Sequence, residues 1–399
     1  MRQPTVIPNG STDLSSLRWS VRSNGESGYL FVNNYVRQYT MAAQTDIQFA
    51  VNFSSSTVTV PSAPITILSG SYFVWPLNLS LGSANLVYAT AQLMTSLNVS
   101  GQTVYIFIAT DGVPVEFVFD PDTVSNVSSI YGTVSTDAAG RTLVSSITPS
   151  LDFALHVTDK GNNNSSIILL NQTLADNLWR ITIGGQDILI FADQAFGLIS
   201  DGFQLTSPGS PNFNFATFPA IKFSAPPGSV SEGSLNGLFT VFTGHQQSKR
   251  LSVTTTPLQA PRIAPVIQIG GEAGGALEPN DTVIQAAQGL WTIQFSRSEL
   301  AEVDDAWLMI NYEGDLARLY SGNLLLDDHF YDGETWVVGL RRLANQIQNG
   351  TLTLAVMPLR SDAPVYLQTK PMFGSNGQVC AVTNVTISTV YSLEIKIAS

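Results

Sequence analysis

Three pairs of neighbouring aspartates have the residue type and spacing that could support hydrolytic chemistry. They are Asp120 with Asp122, Asp304 with Asp305, and Asp327 with Asp328. Cleavage of a glycosidic bond needs two carboxyl groups, one on each side of the scissile bond. Because each pair is adjacent or nearly so and lies at a predicted strand end or turn, we interpret these acids as solvated turn residues. The alternative is structural calcium binding by an Asp-rich loop. We assign no catalytic residue to this chain.

A second candidate site combines aromatic and acidic side chains in residues 315–343. Tyr331 and Trp336 flank the acidic loop that begins at Asp332, and an aromatic ring there could stack on a pyranose face. Loops of this kind also collect at the end of an ordinary β-sandwich, where their rings pack against neighbouring elements. Tyr331, Asp332 and Trp336 are therefore candidates for carbohydrate contact, although packing is the favoured interpretation of the two rings.

Other reactive side chains give no motif. His156, His245 and His329 lack the spacing of a zinc site and have no neighbouring cysteine. The single cysteine, Cys380, lies in the apolar run GQVCAV, which predicts a buried thiol on a strand rather than a nucleophile. No phosphate-binding or dinucleotide-binding glycine pattern occurs between a strand and a helix. The sequence therefore predicts neither a metal site nor a cofactor.

The composition limits the partners. The 399-residue chain contains only 12% charged residues, and its formal net charge is −12. An acidic chain lacks the basic face that nucleic acid and anionic membranes require, so we expect neither as a partner. No segment approaches the roughly 18 consecutive apolar residues of a membrane-spanning helix.

Processing signals suggest a location. Asn-x-Ser/Thr triplets recur along the chain and are compatible with secretion, although this composition also produces them by chance. The opening residues MRQPTVIPNGSTDL lack the apolar core of a signal peptide. We expect a secreted or periplasmic protein whose signal lies upstream, and hence either a fragment or one half of a split gene.

Short strands with alternating apolar and polar residues fill most of the chain, separated by Gly, Pro, Asn or Ser. This pattern predicts an all-β protein, with two or three β-sandwich or jelly-roll domains in tandem and very little helix. The expected domains are a β-sandwich at 1–120 and a second β-rich domain at 121–257. A Pro/Gly-rich linker at 258–287 and a C-terminal jelly roll at 288–399 complete the chain.

Local patterns predict particular elements. Glycine turns at Gly184-Gly185 and at residues 321–323 predict two β-hairpins, the second with Leu319 in the core. A short helix is predicted over residues 335–348, where apolar residues recur at spacings of three and four.

Tryptophans and one polar segment give further expectations. The polar run DPDTVSNVSS, which begins at Asp120, predicts a linker or long loop. Four tryptophans within apolar runs are expected to be core residues: Trp19, Trp75, Trp179 and Trp291.

Several ordered blocks carry a resemblance to a known family. In the first half they are SLRWSVRSNGESGYLFVNNYVRQYTM, VPSAPITILSGSYFVWPLNLSLGSANLVYATAQ and VYIFIATDGVPVEFVFD, and LWRITIGGQDILIFAD follows. In the second half they are NYEGDLARLYSGNLLLDDHFYDGETWVVGLRRL and LAVMPLRSDAPVYL. The early blocks resemble the region after the catalytic barrel in microbial glycoside hydrolase family 35 β-galactosidases. The late blocks resemble the last, galactose-binding-like jelly-roll domain of the same enzymes.

The resemblance implies a parent enzyme that hydrolyses terminal β-galactosyl residues with two glutamates on a (β/α)8 barrel. No part of this sequence matches that barrel, so no catalytic glutamate is carried over, and whether the chain is itself an enzyme stays open. The implied function is the non-catalytic β-sandwich portion of a β-galactosidase. It would support the barrel of the same enzyme, in cis or as a separate chain, and could contact a β-galactoside. The alternative is a free-standing, lectin-like carbohydrate-binding protein. An intact hydrolase that uses an acid such as Asp327 with a distant glutamate is the least favoured hypothesis.

Overall fold

The structure, a computed structural model, describes residues 9–10, 13–37, 39–226, 229–270, 274–347 and 349–397. Within these residues the chain is almost entirely β-structure, with 34 strands, three short α-helices and one 3-10 helix. The predicted all-β fold class is therefore confirmed. No helix in the described part of the chain is long and apolar enough to cross a membrane.

Contacts between residues divide the chain into two compact units. Unit 1 comprises the described parts of 1–203, 214–243 and 395–399, and unit 2 comprises those of 204–213 and 244–394. The finer division into four segments stays a prediction.

The strands to residue 145 are β1 (Arg18–Ser23), β2 (Gly28–Asn33), β3 (Gln44–Asn52), β4 (Thr57–Ile67), β5 (Tyr72–Leu81), β6 (Ala84–Ala89), β7 (Ala91–Val99), β8 (Gln102–Ala109), β9 (Glu116–Phe119), β10 (Val124–Ser128), β11 (Thr133–Thr136) and β12 (Thr142–Ser145). The following elements are β13 (Phe153–Asp159), β14 (Asn164–Leu170), α1 (Gln172–Asp176), β15 (Leu178–Ile183), β16 (Gln186–Ala192), β17 (Ala195–Ile199), β18 (Gly202–Pro208), β19 (Asn212–Phe218), β20 (Phe223–Ser224), β21 (Val230–Asn236) and β22 (Phe239–His245).

From residue 253 the elements are β23 (Val253–Gln259), β24 (Ile269–Gly270), β25 (Gly275–Ala276), α2 (Asp281–Ala287), β26 (Gly289–Phe295), α3 (Arg297–Ala301), β27 (Asp305–Glu313), β28 (Leu316–Ser321), β29 (Leu324–Phe330) and β30 (Trp336–Gly339). A 3-10 helix (Arg341–Leu343) precedes β31 (Thr351–Val356), β32 (Leu359–Arg360), β33 (Gln378–Val379) and the long β34 (Ala381–Ile397).

Unit 1 contains three main sheets. Their strand orders are β1-β2-β5-β6-β9-β12-β11, β10-β13-β14-β8-β7 and β15-β16-β19-β22-β21. In the first sheet, register pairs Trp19 with Val32 and Val32 with Phe73. These three side chains belong to one core cluster because residues directly opposite on paired strands share a face. The residues that alternate with them occupy the opposite face.

Unit 2 is a sandwich around one core. One of its sheets includes β18-β34-β27-β30, and the other has the order β23-β26-β31-β28-β29. A single cluster of buried apolar residues draws on both sheets, since it includes Leu308 and Ile310 of β27 together with Ile293 of β26 and Leu354 of β31. Unit 2 is therefore all-β, in agreement with the predicted fold class, and the predicted jelly roll at 288–399 stays a prediction.

Both predicted hairpins are confirmed. Gly184 and Gly185, with φ of 58° and 78°, join β15 to β16. Gly322, with φ of 59°, joins β28 to β29, in which Ser321 pairs with Leu324. Leu319 is fully buried, as expected.

The predicted helix over 335–348 is wrong. Residues Trp336–Gly339 form strand β30, which pairs antiparallel with β27. Trp336, Val338 and Leu340 are all buried, so a spacing of two prevails over the spacings of three and four. Only the 3-10 helix Arg341–Leu343 follows, and Gln348 lies outside the described residues.

Three further expectations need correction. The run from Asp120 is not wholly a loop, because Val124–Ser128 form β10 and pair with β13. Asp327 and Asp328 lie within strand β29 rather than in a turn. Trp179 is 40% exposed and stacks on Phe196, with ring centroids 5.0 Å apart.

The other expectations for single residues concern three tryptophans and the cysteine. Trp75 and Trp291 are buried, and Trp19 is partly buried against the core. Cys380 is a partly buried free thiol between β33 and β34, and its Sγ lies 3.4 Å from the carbonyl oxygen of Val356. Burial raises the pKa of this thiol to about 11, which keeps it protonated and unreactive.

Candidate functional site

The predicted carbohydrate-contact residues lie beside an aromatic cluster in unit 2, which we call the C-terminal aromatic cluster: Tyr312, His329, Tyr331 and Trp336. Strands β27, β29 and β30 supply three of these side chains. The indole of Trp336 stacks on the imidazole of His329, with centroids 5.5 Å apart and planes 15° from parallel. The ring of Tyr331 meets Tyr312 edge to face at 5.7 Å.

Burial separates the three predicted residues. Tyr331 is 9% exposed and Trp336 is 5% exposed, and both belong to the core of unit 2. Asp332 is exposed, and its carboxylate lies 3.9 Å from Nε2 of His329. The two rings therefore pack against their neighbours. Carbohydrate contact by Tyr331, Asp332 and Trp336 stays a prediction.

Hydrogen bonding fixes the centre of this cluster. The Tyr312 hydroxyl donates to the backbone carbonyl of His329 at 2.9 Å and lies 2.9 Å from the Nδ1 of the same residue. Burial raises the pKa of Tyr312, and the nearby charges of Asp332 and Asp315 add to that shift. Tyr312 is therefore a neutral hydrogen-bonding group that ties β27 to β29.

Asp315 is a buried carboxyl group of unit 2 with a shifted pKa. It is buried at the start of β28, and this desolvation raises its pKa to about 6, with a further contribution from the charge of Glu278. Arg318 pairs with Glu278 at 2.7 Å and with Asp281 at 2.8 Å. We did not predict Asp315 as a site residue, because the burial of one acid at a strand start leaves no mark in the sequence.

The acids that could have formed a hydrolytic pair serve local structure. The carboxylate of Asp120 accepts from the backbone N–H of Asp122 at 2.9 Å, which closes a turn. Asp305 accepts from the backbone N–H of Arg341 at 3.1 Å. Asp327 forms an ion pair with Arg342. Among the residues that the structure describes, no group of three or more His, Cys, Asp and Glu side chains is placed to hold a metal ion.

A buried carboxylate in unit 1 was missed by the sequence analysis. Glu116 on β9 accepts hydrogen bonds from the Ser62 N–H at 2.9 Å, from the Ser62 hydroxyl and from the Tyr88 hydroxyl at 2.8 Å. Burial, and then the charge of Glu116, raises the pKa of Tyr88. With its oxygens occupied by these donors, Glu116 ties strands β4, β6 and β9 together rather than facing a ligand.

An open groove on unit 1 was also missed. We call it the first-unit groove and define it by Phe31, Asn33, Tyr72 and Gln92. The ring of Tyr35 lies beside that of Tyr72. Its first part has a volume of about 390 Å³, and an adjoining part of about 660 Å³ shares Tyr72 and Gln92 with it. The sequence did contain a signal for the groove. Apolar residues occupy both faces of β2, so one apolar face had to lie away from the core.

The comparison with known families bears on unit 1. Residues 4–177 match the family model of β-galactosidase domain 2. This segment, which includes the first-unit groove and Glu116, is a β-galactosidase-related domain of all-β structure. No curated protein is significantly similar to the chain.

Proposed function

We propose that this chain is the non-catalytic β-sandwich portion of a β-galactosidase of glycoside hydrolase family 35. The observation that carries the proposal is the match of residues 4–177 to β-galactosidase domain 2. The order of the sequence blocks, which continue into a jelly-roll-like C-terminal half, supports the narrower assignment to family 35. The role we propose is to support a catalytic (β/α)8 barrel of the same enzyme, in cis or as a separate chain.

The environments of the carboxylates favour a structural role of this chain over a hydrolytic one. A retaining glycosidase needs two carboxyl groups about 5 Å apart that face the substrate. Here Glu116 is saturated with hydrogen bonds inside unit 1, and Asp327 is paired with an arginine. We propose in addition that the parent enzyme acts outside the cytoplasm, in the secreted or periplasmic space, where terminal β-galactosyl residues of polysaccharides are met.

An activity assay tests this proposal. We expect the purified chain to show no hydrolysis of an aryl β-galactoside above a blank without protein. Turnover that is clearly above the blank and is abolished by Asp315→Asn or Asp327→Asn would contradict the proposal. That result would instead support a complete hydrolase. The Tyr366→Ala variant, altered at an exposed tyrosine of unit 2, is the control for loss of activity through handling.

A further inference from the structure

We propose that the first-unit groove binds a neutral oligosaccharide, a site distinct from the C-terminal aromatic cluster. The inference goes beyond the proposed function and does not depend on the presence of a catalytic barrel. It rests on the strand register of the first sheet, on the exposure of two tyrosines and on the hydrogen-bonding groups that surround them.

Strand register places the groove residues on one face. Arg18 pairs with Asn33, and Asn33 pairs with Tyr72, so these three positions form one row across β1, β2 and β5. Phe31 lies two residues before Asn33 on the same face of β2. The positions between them point into the core. The floor of the groove is therefore a regular face of the first sheet, which we call the platform.

The ring of Tyr72 rises from this platform, and the ring of Tyr35, which follows β2 in the chain, lies beside it. Tyr72 is 71% exposed and Tyr35 is 44% exposed, and their ring centroids lie 6.3 Å apart with planes tilted by 55°. The backbone around Tyr35 is held in place, because its N–H donates to the Asn33 side chain at 2.6 Å. The following turn is also fixed, since the buried Asn34 side chain donates to the carbonyl of Leu68 at 3.0 Å. Exposed rings held by ordered backbone can stack on the C–H face of a pyranose with little loss of conformational entropy.

The polar groups of the groove match sugar hydroxyls, which both donate and accept hydrogen bonds. The amide oxygen of Asn33 accepts from the N–H of Tyr35, and that of Gln92 accepts from the N–H of Val74 at 2.9 Å. Each of these amides therefore offers its NH2 group as a donor to a ligand oxygen. In the adjoining part, Asp111 and Asp176 contribute carboxylate acceptors.

The charge and volume of the groove narrow the ligand class. Arg18 lines the first part, where its guanidinium donates to the carbonyl of Asp13 at 2.7 Å, and two carboxylates line the adjoining part. Together with the net charge of −12, this balance disfavours an anionic sugar or a phosphate. The two adjoining parts, about 390 and 660 Å³, fall in the range of ligand sites and extend beyond a single sugar. A neutral oligosaccharide of several residues fits this combination.

Calorimetric titration of the whole chain tests the proposal. The probes are linear β-1,4-linked galacto-, gluco-, manno- and xylo-oligosaccharides. We expect saturable binding of at least one probe, and binding about five- to tenfold weaker in Tyr72→Ala and Tyr35→Ala, since each ring contributes one stacking contact. Tyr366→Ala removes a comparably exposed ring, 76% exposed, from unit 2 and should bind like the wild type.

Two outcomes would overturn the proposal. One is the absence of saturable binding to any of the four probes, and the other is equal affinity in the wild type and Tyr72→Ala with both proteins folded by circular dichroism. Sedimentation analysis tests the alternative that a second copy of this chain occupies the groove. If the chain self-associates and Tyr72→Ala abolishes that association without any sugar effect, the groove is a protein interface. Binding of a gluco-, manno- or xylo-oligosaccharide alone supports the groove while counting against a galactoside-specific parent enzyme.

Discussion

Glu116 illustrates at the residue scale why a buried acid need not be a catalytic acid. Its carboxylate receives donors from Ser62 and Tyr88, so the charge is compensated inside unit 1. A carboxyl group that catalyses hydrolysis must instead keep an oxygen within hydrogen-bond reach of the substrate. The hydrogen bonds of Glu116 therefore predict that its substitution lowers the stability of unit 1 substantially.

Removal of this carboxylate should destabilise unit 1. Glu116→Ala leaves the Ser62 N–H and the Tyr88 hydroxyl without their acceptor, so we expect the free energy of unfolding to fall by about 3 kcal/mol. Glu116→Gln retains one acceptor oxygen and should cost less. Denaturant unfolding measures both, and Glu26→Ala, at an exposed glutamate of the same unit, should stay within about 0.5 kcal/mol of the wild type. A Glu116→Ala variant as stable as that control would contradict this account.

Asp315 predicts a pH dependence. Its pKa of about 6 in the folded chain lies above the ordinary value of 3.8 for an aspartate, so the folded state binds this proton more tightly than the unfolded state. Burial of this acid therefore does not lower the free energy of unfolding below about pH 4. The loss of stability grows as the pH rises and is complete above about pH 6. This difference in pKa between the unfolded and the folded state lowers the free energy of unfolding by at most about 3 kcal/mol at high pH.

Asp315→Asn should remove this pH-dependent loss, because the amide has no charge to desolvate. The measurement is the free energy of unfolding of the wild type and the variant at pH 4 and pH 7. We expect the variant to gain on the wild type between these two values. Asp328→Asn, at an exposed acid of the neighbouring strand β29, is the control. A difference between wild type and Asp315→Asn that is the same at both pH values would refute the desolvation of Asp315.

At the scale of elements, the turns were more predictable than the chain between them. Gly184-Gly185 and Gly322 marked their hairpins because positive φ strongly favours glycine. Residues 335–348 were misread, because a short apolar run that begins with Trp336 fits both a helix and a strand. The pairing with β27, far away in sequence, decided for the strand. Long-range pairing of this kind leaves no local signal.

The site residues were less predictable than the fold. Tyr331 and Trp336 were recognised by type, but their burial depends on the opposing strands and on Tyr312. The first-unit groove was missed because it needs three strands in register, and sequence alternation gives each strand its faces without giving its neighbours.

The loop that leads into β31 contains Gly350, which lies against the end of β26 and predicts a matched pair of variants. Gly350 has φ of 67°, and a Cβ there would lie 2.2 Å from the carbonyl oxygen of Phe295. Gly339, at the end of β30, has no atom within 4 Å of such a Cβ. Gly350→Ala should therefore lower the free energy of unfolding by roughly 2 kcal/mol or more, and Gly339→Ala should be close to neutral. Equal stability of the two variants in thermal unfolding would contradict the geometry of this loop.

The packing of β30 predicts the effect of removing its tryptophan. Trp336 stacks on His329 and contacts Tyr312 within the core of unit 2, so Trp336→Ala should cost roughly 3–5 kcal/mol. Thermal unfolding should show a clear decrease of the melting temperature, whereas Tyr366→Ala should leave it unchanged. An unchanged melting temperature in Trp336→Ala, together with lost sugar binding, would instead support the lectin-like hypothesis for this cluster.

At the scale of the whole molecule, a β-galactosidase-related domain occupies residues 4–177, and a β-sandwich with its own core forms unit 2. Within the part of the chain that the structure describes, Glu116, Asp120, Asp305 and Asp327 are each engaged by donors of the protein itself. We propose that hydrolysis belongs to a (β/α)8 barrel of the same enzyme, and that this chain supplies structural support and a sugar-binding groove. In this proposal the two roles fall on separate parts of the coding sequence.

The coding sequence immediately upstream of this chain tests that separation most directly. The measurement is to sequence the genomic DNA that precedes the codon of Met1. We predict a reading frame, either continuous with this one or ending just before it, that encodes a (β/α)8 barrel with two glutamates at the ends of its strands. An upstream region that encodes no such barrel in either arrangement would contradict the account and leave the free-standing carbohydrate-binding protein as the better description.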